Sequence, residues 1–430
     1  MTIAAICFIF IFLLLALGVR LGAALGVVGF LGLVAIVGTK AAGAMVAQTA
    51  IDTVTNYTLA VLPLFLFMAN IITRSGVATA LFEASNAVLG SIRGGLAMAT
   101  VMGCAGFGAV CGSSLATAAT MGAVAMPEIK RFGYDQGLSA GAVAAGGTLG
   151  ILIPPSIILV IYGTITEQSI GDLFLAGILP GLLGALLYVI AVAVYVRLRP
   201  DAVPEVDVGA FVPRRQAILR VWPVAVLFGL VIGGLYLGVF SATEGAGIGA
   251  AGAVVLGFVR RELSLHDIYG AAVDAAVMTS VLLFVLIGAL VFSNVIIFSG
   301  FSQGMLDTVS SIAVSPTLVI IAIVAIYLVL GCVFDSLALM LLTVPLFAPV
   351  VSELGYDLVW FGIVVVVAIE VGMISPPIGM NLFIIRSLDR DISLSQIYRG
   401  ILPFLLSDFV RLALLIAIPS ISLLLPTTMR

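Results

Sequence analysis

Apolar positions run through this chain in unbroken stretches of roughly 20 residues, the length of a membrane-crossing helix. They lack the strict polar–apolar alternation of a membrane barrel strand. In chain order the runs predict spans over 3–19, 21–38 and 58–73, a long Gly-rich segment 94–129, a Pro-interrupted run 136–165 and a span over 173–198. A polar linker follows at 199–220, with Pro200, Pro204 and Pro213. The second half gives spans 221–240, 241–259 and 276–297, a long segment 316–351, a Pro-interrupted run 357–385 and a last span 400–425. The pattern is that of an all-α polytopic membrane protein.

Composition sharpens this reading. Of 430 residues, 62% are hydrophobic and 9% are charged, whereas a soluble domain carries about 25% charged residues. That leaves too little charge for a solvated shell and excludes a soluble enzyme or a secreted disulfide scaffold. A net charge of -3 with scattered basic residues excludes a nucleic-acid binder. The 47 glycines and 17 prolines are tolerated in membrane bundles. Cys7, Cys104, Cys111 and Cys332 sit in apolar runs without a C-x-x-C spacing, and read as small buried hydrophobes. The single histidine, His266, lies in a loop beside Arg260 and Arg261, so no transition-metal cluster is expected. The N-terminus lacks the basic region of a cleaved signal, so 3–19 is expected to be a retained span.

Charge also orients the chain. If the N-terminus starts outside, and 94–129 and 316–351 each enter and leave on one side, all but Lys40, Arg411 and Arg430 of the 18 basic residues fall in the cytoplasm. This predicts a periplasmic N-terminus and a cytoplasmic linker. A re-entrant hairpin and a pair of full spans give the same sides, so the depth of the two long segments stays open.

The chain also repeats itself. Gly133-Tyr134-Asp135 recurs as Gly355-Tyr356-Asp357, an offset of 222 (355 − 133) that also maps Pro127 to Pro349, Gly150 to Gly372, Pro154-Pro155 to Pro376-Pro377 and Ser114 to Ser336. Lys130-Arg131 before the first motif become Ser352-Glu353 before the second. Each half has an odd number of crossings, so the two repeats, 1–198 and 221–430, are expected to be inverted. Paired Gly/Pro-interrupted segments in inverted halves point to a secondary transporter and its binding site.

The candidate chemistry lies at those interruptions. Gly112-Ser113-Ser114 is a turn and N-cap sequence in the middle of 94–129. No G-K-[ST] follows it, so it is not a nucleotide loop. A hairpin tip there would expose carbonyls for a cation and helix N–H groups for an anion; small-residue helix packing is the plainer alternative. The matching place in the second half holds Asp335-Ser336. A carboxylate in hydrocarbon costs about 2.5–3.5 kcal/mol, so Asp335 calls for a bound Na⁺ or H⁺, with helix capping as the alternative. The runs Thr148 to Ser156 and Glu370 to Asn381 each carry two consecutive prolines, which remove two N–H donors and free upstream carbonyls. With Ser156, Ser375 and Asn381 they can replace an ion's water shell. Glu370 is a further candidate, with a salt bridge to Arg411 as its alternative. Glu167 and Glu244 read as helix-start caps. An intramembrane enzyme using Ser113 or Asp335 would need a base at the same depth, and no histidine is available.

These residues carry a resemblance. Gly112-Ser-Ser-Leu-Ala-Thr117, Pro127-Glu128, Gly150-Ile-Leu-Ile-Pro-Pro-Ser156 with Tyr162-Gly163 and Ser169-Ile170-Gly171, and Pro376-Pro377-Ile-Gly-Met-Asn381 resemble the large membrane subunit of tripartite ATP-independent periplasmic (TRAP) transporters. The resemblance covers essentially the whole chain. It implies an elevator-type transporter in the bacterial inner membrane. Two hairpins and two broken helices would form a mobile domain that imports an organic acid, usually a carboxylate, with Na⁺ as driving ion. It further implies a periplasmic substrate-binding protein and a separate small four-helix membrane subunit as partners, besides the lipid bilayer. By motif match, Na⁺ would be held by Ser113, Ser114, Gly150, Ile153 and Pro155, and by Asp335, Ser336, Gly372, Ser375 and Pro377. The substrate would meet Gly112, Ser156, Asn381 and Glu370. A stand-alone elevator carrier for a dicarboxylate or another anion, without a binding protein, is the alternative.

Overall fold

Glycines in the left-handed conformation and Ser, Asp or Asn caps divide the chain into helices. Gly18, Gly38, Gly76, Gly94 and Gly112 all take positive φ between helices, a conformation open to glycine at little cost. In the computed structural model, residues 2–204, 213–260, 262–301, 303–305, 307 and 315–429 are described. Linker residues 205–212, Arg261 and Arg430 lie outside them.

The first half holds α1 (Thr2–Ala16), α2 (Leu21–Val37), α3 (Thr39–Thr55), α4 (Val61–Arg74) and α5 (Val77–Leu89). Next come a hairpin of α6 (Gly95–Cys111) and α7 (Ser114–Arg131), a helix interrupted between α8 (Gln136–Thr148) and α9 (Ile157–Thr166), and the long α10 (Ile170–Leu198). The second half holds α11 (Arg214–Tyr236), α12 (Ala242–Val259) and α13 (Leu265–Phe298). A second hairpin of α14 (Pro316–Gly331) and α15 (Ser336–Glu353) follows, then an interrupted pair, α16 (Leu358–Ile374) and α17 (Met380–Leu388), and finally α18 (Leu394–Ala417) and α19 (Ser420–Met429). Among the described residues there is no strand, and 7 helices are long and apolar enough to cross a membrane.

A helix pair joined at a short turn and an interrupted helix therefore follow one another in the same order in both halves. At about 1.5 Å per residue, α9 with 10 residues and α17 with 9 residues are half-bilayer pieces. The sequence reading needs correction elsewhere. It has no helix at α3, where Lys40, Gln48 and Asp52 dilute the apolar signal, or at α5, which is too short to span. The span expected at 276–297 starts at Leu265, behind a Ser264–Asp267 capping box, because its polar first turns face outward. α11 begins at Arg214, inside the expected linker, and the last span splits between Ala417 and Ser420.

Two buried cores form. One joins the first helices to α11–α13 and the second hairpin. The other gathers the first hairpin, α8, the later part of α10, α17 and α18. In the first core α2 lies closely on α13, because Gly22, Gly29 and Gly32 leave room for Phe284, Phe292 and Val295; a Cβ at Gly29 would sit 2.9 Å from the Phe292 nitrogen. Small residues let membrane helices approach in this way.

Candidate functional site

The first hairpin tip is a turn at Gly112 (φ 65) followed by Ser113, whose Oγ accepts from the Ala116 N–H as the α7 cap. It packs onto the break of its own half. A Cβ at Gly112 would lie 2.6 Å from the Pro155 carbonyl oxygen. A Cβ at Gly108 would lie 2.4 Å from the Gly150 Cα, and one at Gly150 would lie 2.8 Å from Thr117 Oγ1 and 3.3 Å from the Ser113 carbonyl oxygen. These contacts require glycine, and they set oxygens of the tip and of the break on one small volume. Thr117 Oγ1 is buried there without a strong hydrogen-bond partner, only the Cys111 thiol nearby. Ser156 caps α9 and its Oγ donates to the Ile151 carbonyl across the break. Ile153 packs on Gly181 of α10.

The second tip repeats the backbone arrangement with different side chains. A Cβ at Gly372 would lie 2.6 Å from the Gly331 Cα, and the Gly379 N–H donates to the Cys332 carbonyl at 3.2 Å. Ser336 Oγ donates to Met373 Sδ at 2.9 Å, and Ser375 Oγ to the Val371 carbonyl at 2.6 Å. The Pro377 carbonyl accepts from Tyr398 Oη at 2.6 Å, which leaves it one lone pair. Asp335 is only partly buried, and its Oδ1 accepts from the N–H groups of Leu337 and Ala338 at 3.0 Å each. It is the N-cap of α15, the alternative that the sequence left beside a bound cation. Glu244 sits in a capping box, as read. Glu167 does not cap a helix start; it ends α9 at φ 55.

The two halves interlock through the short helices. α9 packs on α15 of the second hairpin, and α17 packs on α7 of the first. At the second crossing Asn381 Nδ2 donates to Ser114 Oγ at 2.8 Å and to the Ala144 carbonyl at 3.2 Å. Asn381 Oδ1 stays buried without a partner.

Glu370 belongs to neither tip. It accepts from Arg411 Nη2 at 2.7 Å, and the same nitrogen lies 2.8 Å from Asp408 Oδ1; all three side chains are fully buried. Tyr188 Oη donates to Asp408 at 2.6 Å and lies 3.3 Å from Thr148 Oγ1. Gly184 makes room for the guanidinium, since a Cβ there would lie 2.3 Å from Arg411 Nη1. The cluster ties the last residue of α8 to α10, α16 and α18, directly upstream of both breaks. Sequence reasoning missed Thr117, Tyr188 and Thr148. Thr117 was readable as the residue one turn into the helix that Ser113 caps; the other two gain meaning only from the packing.

Half-length helices set against two hairpin tips, in a multi-pass helical bundle, define a membrane transport protein. The chain matches, over residues 8–421, the family model described as "Tripartite ATP-independent periplasmic transporter, DctM component". It belongs to that family, the large permease subunits of TRAP transporters, and is a transporter subunit rather than an enzyme. It is 36% identical over 377 residues (87% of either chain) to the C4-dicarboxylate TRAP transporter large permease protein DctM of Pseudomonas aeruginosa. It is 35% identical over 370 residues (85% of this chain, 86% of the relative) to the ectoine TRAP transporter large permease protein TeaC of Halomonas elongata. The Alcanivorax borkumensis YdaH transporter shares the fold, with a TM-score of 0.67 over 97% of this chain and 98% of that one at 14% identity.

Proposed function

We propose that this subunit imports a small organic acid by Na⁺ symport, taking it from a periplasmic binding protein and working beside a small membrane subunit. The relatives named for C4-dicarboxylate and for ectoine support the substrate class. The observation that carries the ion reading is the buried Thr117 Oγ1, which has no strong hydrogen-bond partner, only the Cys111 thiol nearby, and lies beside the Gly150 turn and the Ser113 carbonyl. A hydroxyl and carbonyls without a full charge suit a hard monovalent cation, so these residues fit Na⁺. Ser113, Gly150, Ile153 and Pro155 form the first ion site. Ser336, Gly372, Ser375 and Pro377 form the second, with Asp335 positioning its helix. Gly112, Ser114, Ser156 and Asn381 face the substrate between the sites, where the orphaned Asn381 Oδ1 supports a polar guest.

The two halves run inverted, with the N-terminus periplasmic and the 199–220 linker cytoplasmic. The hairpins and broken helices move as an elevator against the remaining helices. Family membership favours this over a carrier that needs no binding protein. Reconstitution with both partners tests it. Uptake should follow an inward Na⁺ gradient and fail without the binding protein. Equal uptake on a proton gradient alone overturns Na⁺ coupling.

A further inference from the structure

A cavity of about 640 Å³ opens between α5, α6, α10 and α11, away from both tips. Leu81, Val88, Met102, Leu186, Ile218 and Trp222 form most of its wall, and Ser85 supplies the hydroxyl among the lining side chains. That volume is within the range of small-molecule sites, roughly 300–1,000 Å³. Water entering it would find almost no hydrogen-bond partners, and an apolar cavity of this kind stays dry or takes an apolar guest. Several wall residues are open to the exterior, with Leu186 at 56%, Trp222 at 54% and Ile218 at 52% exposure. The cavity is therefore a groove that a hydrocarbon chain can enter from the side.

One end of the groove is basic. Arg214 lies one turn before Ile218 on the same stripe of α11, and Arg215 flanks it. Arg214 Nε donates to the Ala87 carbonyl at 2.9 Å, which holds the guanidinium beside Val88 at the end of α5. That bond uses one of five N–H donors. Arg197 lies two turns beyond Val189 on α10 and is exposed. Of the acids on the four wall helices, Glu83 is turned to Arg220 (2.6 Å) on the opposite side of α11, and Asp172 starts α10 at the far end of the helix. α6 carries no charged residue.

We infer that this groove seats an anionic phospholipid, its acyl chain along Leu81, Met102 and Trp222 and its phosphate against Arg214, Arg215 and Arg197. An apolar trench ending in arginines between membrane helices matches the two parts of such a lipid and no soluble ligand. The walls belong to different cores: Ala185 of α10 and most buried apolar residues of α6 lie with the first hairpin, whereas Val110 at the end of α6 and Val224 and Leu227 of α11 lie in the other core. A lipid here occupies the seam between them.

Photocrosslinking of the full chain tests the inference. The chain is purified in detergent and incubated with phosphatidylglycerol that carries a diazirine in its acyl chain. Crosslinks should map to peptides containing Met102 and Trp222, and unlabelled phosphatidylglycerol should compete far better than phosphatidylcholine. Arg214→Gln and Arg215→Gln should each lower that preference roughly fivefold. Ala225→Trp fills the groove at an exposed position and should abolish the crosslinks without lowering the melting temperature. Equal competition by phosphatidylcholine removes the headgroup site. Unchanged crosslinking of Ala225→Trp removes the groove. Loss of the crosslinks once the small subunit is present makes the groove a protein interface and overturns the proposal.

Discussion

Asn381 donates to Ser114 at 2.8 Å across the interface between the two halves of the chain. Asn381 follows the second Pro-Pro break, and Ser114 opens the second arm of the first hairpin, 267 residues away along the chain. The bond joins the 9-residue α17 of the second half to the first hairpin of the other half. The first hairpin cannot change its position without taking α17 along or breaking this contact.

Asn381→Ala should therefore impair transport more than expression. It leaves the Ser114 hydroxyl without the buried donor it has from Asn381, a loss of about 1–3 kcal/mol. Ser114→Ala removes the other side of the bond. If the two act through one contact, the double variant will lose less than the sum of the single losses in a double-mutant cycle on melting temperature and uptake. Additive losses would separate the two residues.

Thr117 gives a sharper test of the ion site, because its buried Oγ1 lies against the Gly150 turn with the Cys111 thiol, a weak hydrogen-bonding group, as its side-chain neighbour. Thr117→Val removes a buried polar atom without a strong partner and keeps the shape, so stability should hold or rise. The Na⁺ concentration for half-maximal uptake should rise roughly fivefold to tenfold, the worth of one hydrogen-bond-strength ligand. Thr117→Ser should restore it. A Val variant with unaltered Na⁺ dependence would exclude the hydroxyl as a ligand.

Much of this architecture was legible in the sequence, for physical reasons. Proline pairs cannot continue a helix, and Ser113, Ser156, Asp335 and Asp357 are caps whose side chains can only bond near neighbours. Both breaks and both tips therefore fall where local chemistry puts them. Gly108 against Gly150 and Gly331 against Gly372 were not legible as pairs, because close approach depends on partners distant in the chain. The same holds for Thr117 and for the Tyr188–Asp408 bond. For Asp335 the sequence left a bound cation and a helix cap side by side, and the structure adds that its Oδ1 takes two N–H groups within three residues.

That cap leads to a direct prediction. Asn caps a helix nearly as well as Asp, whereas Ala costs about 0.5–2 kcal/mol. Asp335→Asn should keep its melting temperature and most of its uptake, and Asp335→Ala should lose both in part. A stable Asn variant with sharply weakened Na⁺ dependence would restore the carboxylate as an ion ligand.

The Glu370–Arg411–Asp408 cluster should behave as one unit. Removing the guanidinium alone, as Arg411→Met, leaves two buried carboxylates facing each other, and breaking a buried pair in this way costs about 3–5 kcal/mol. The triple variant Glu370→Gln, Asp408→Asn, Arg411→Met carries no net buried charge and should recover part of that stability in thermal unfolding. Transport should not recover with it if the cluster also sets the relative position of the two breaks through Thr148 and Glu370. Full recovery of both would reduce the cluster to packing.

Alternating exposure of the two tips is the strongest consequence of the elevator reading. Ala116, one turn into α7, is exposed, and Val333 at the second tip is 51% exposed, so a cysteine at either disturbs no buried contact. In a background with Cys7, Cys104, Cys111 and Cys332 replaced, each is reacted with a membrane-impermeant thiol reagent from one side at a time. On the orientation that the flanking charges favour, the ends of the first hairpin are cytoplasmic and those of the second are outside. A moving domain predicts that Na⁺ and substrate shift the side or rate of labelling at both positions together, because the α7–α17 and α9–α15 contacts tie the hairpins to each other. Suppose instead that Ala116→Cys labels freely from the periplasm and Val333→Cys freely from the cytoplasm, whatever is bound. Both hairpins would then be full spans with surface turns, and the ion sites proposed at their tips would lie outside the membrane, where they could couple nothing.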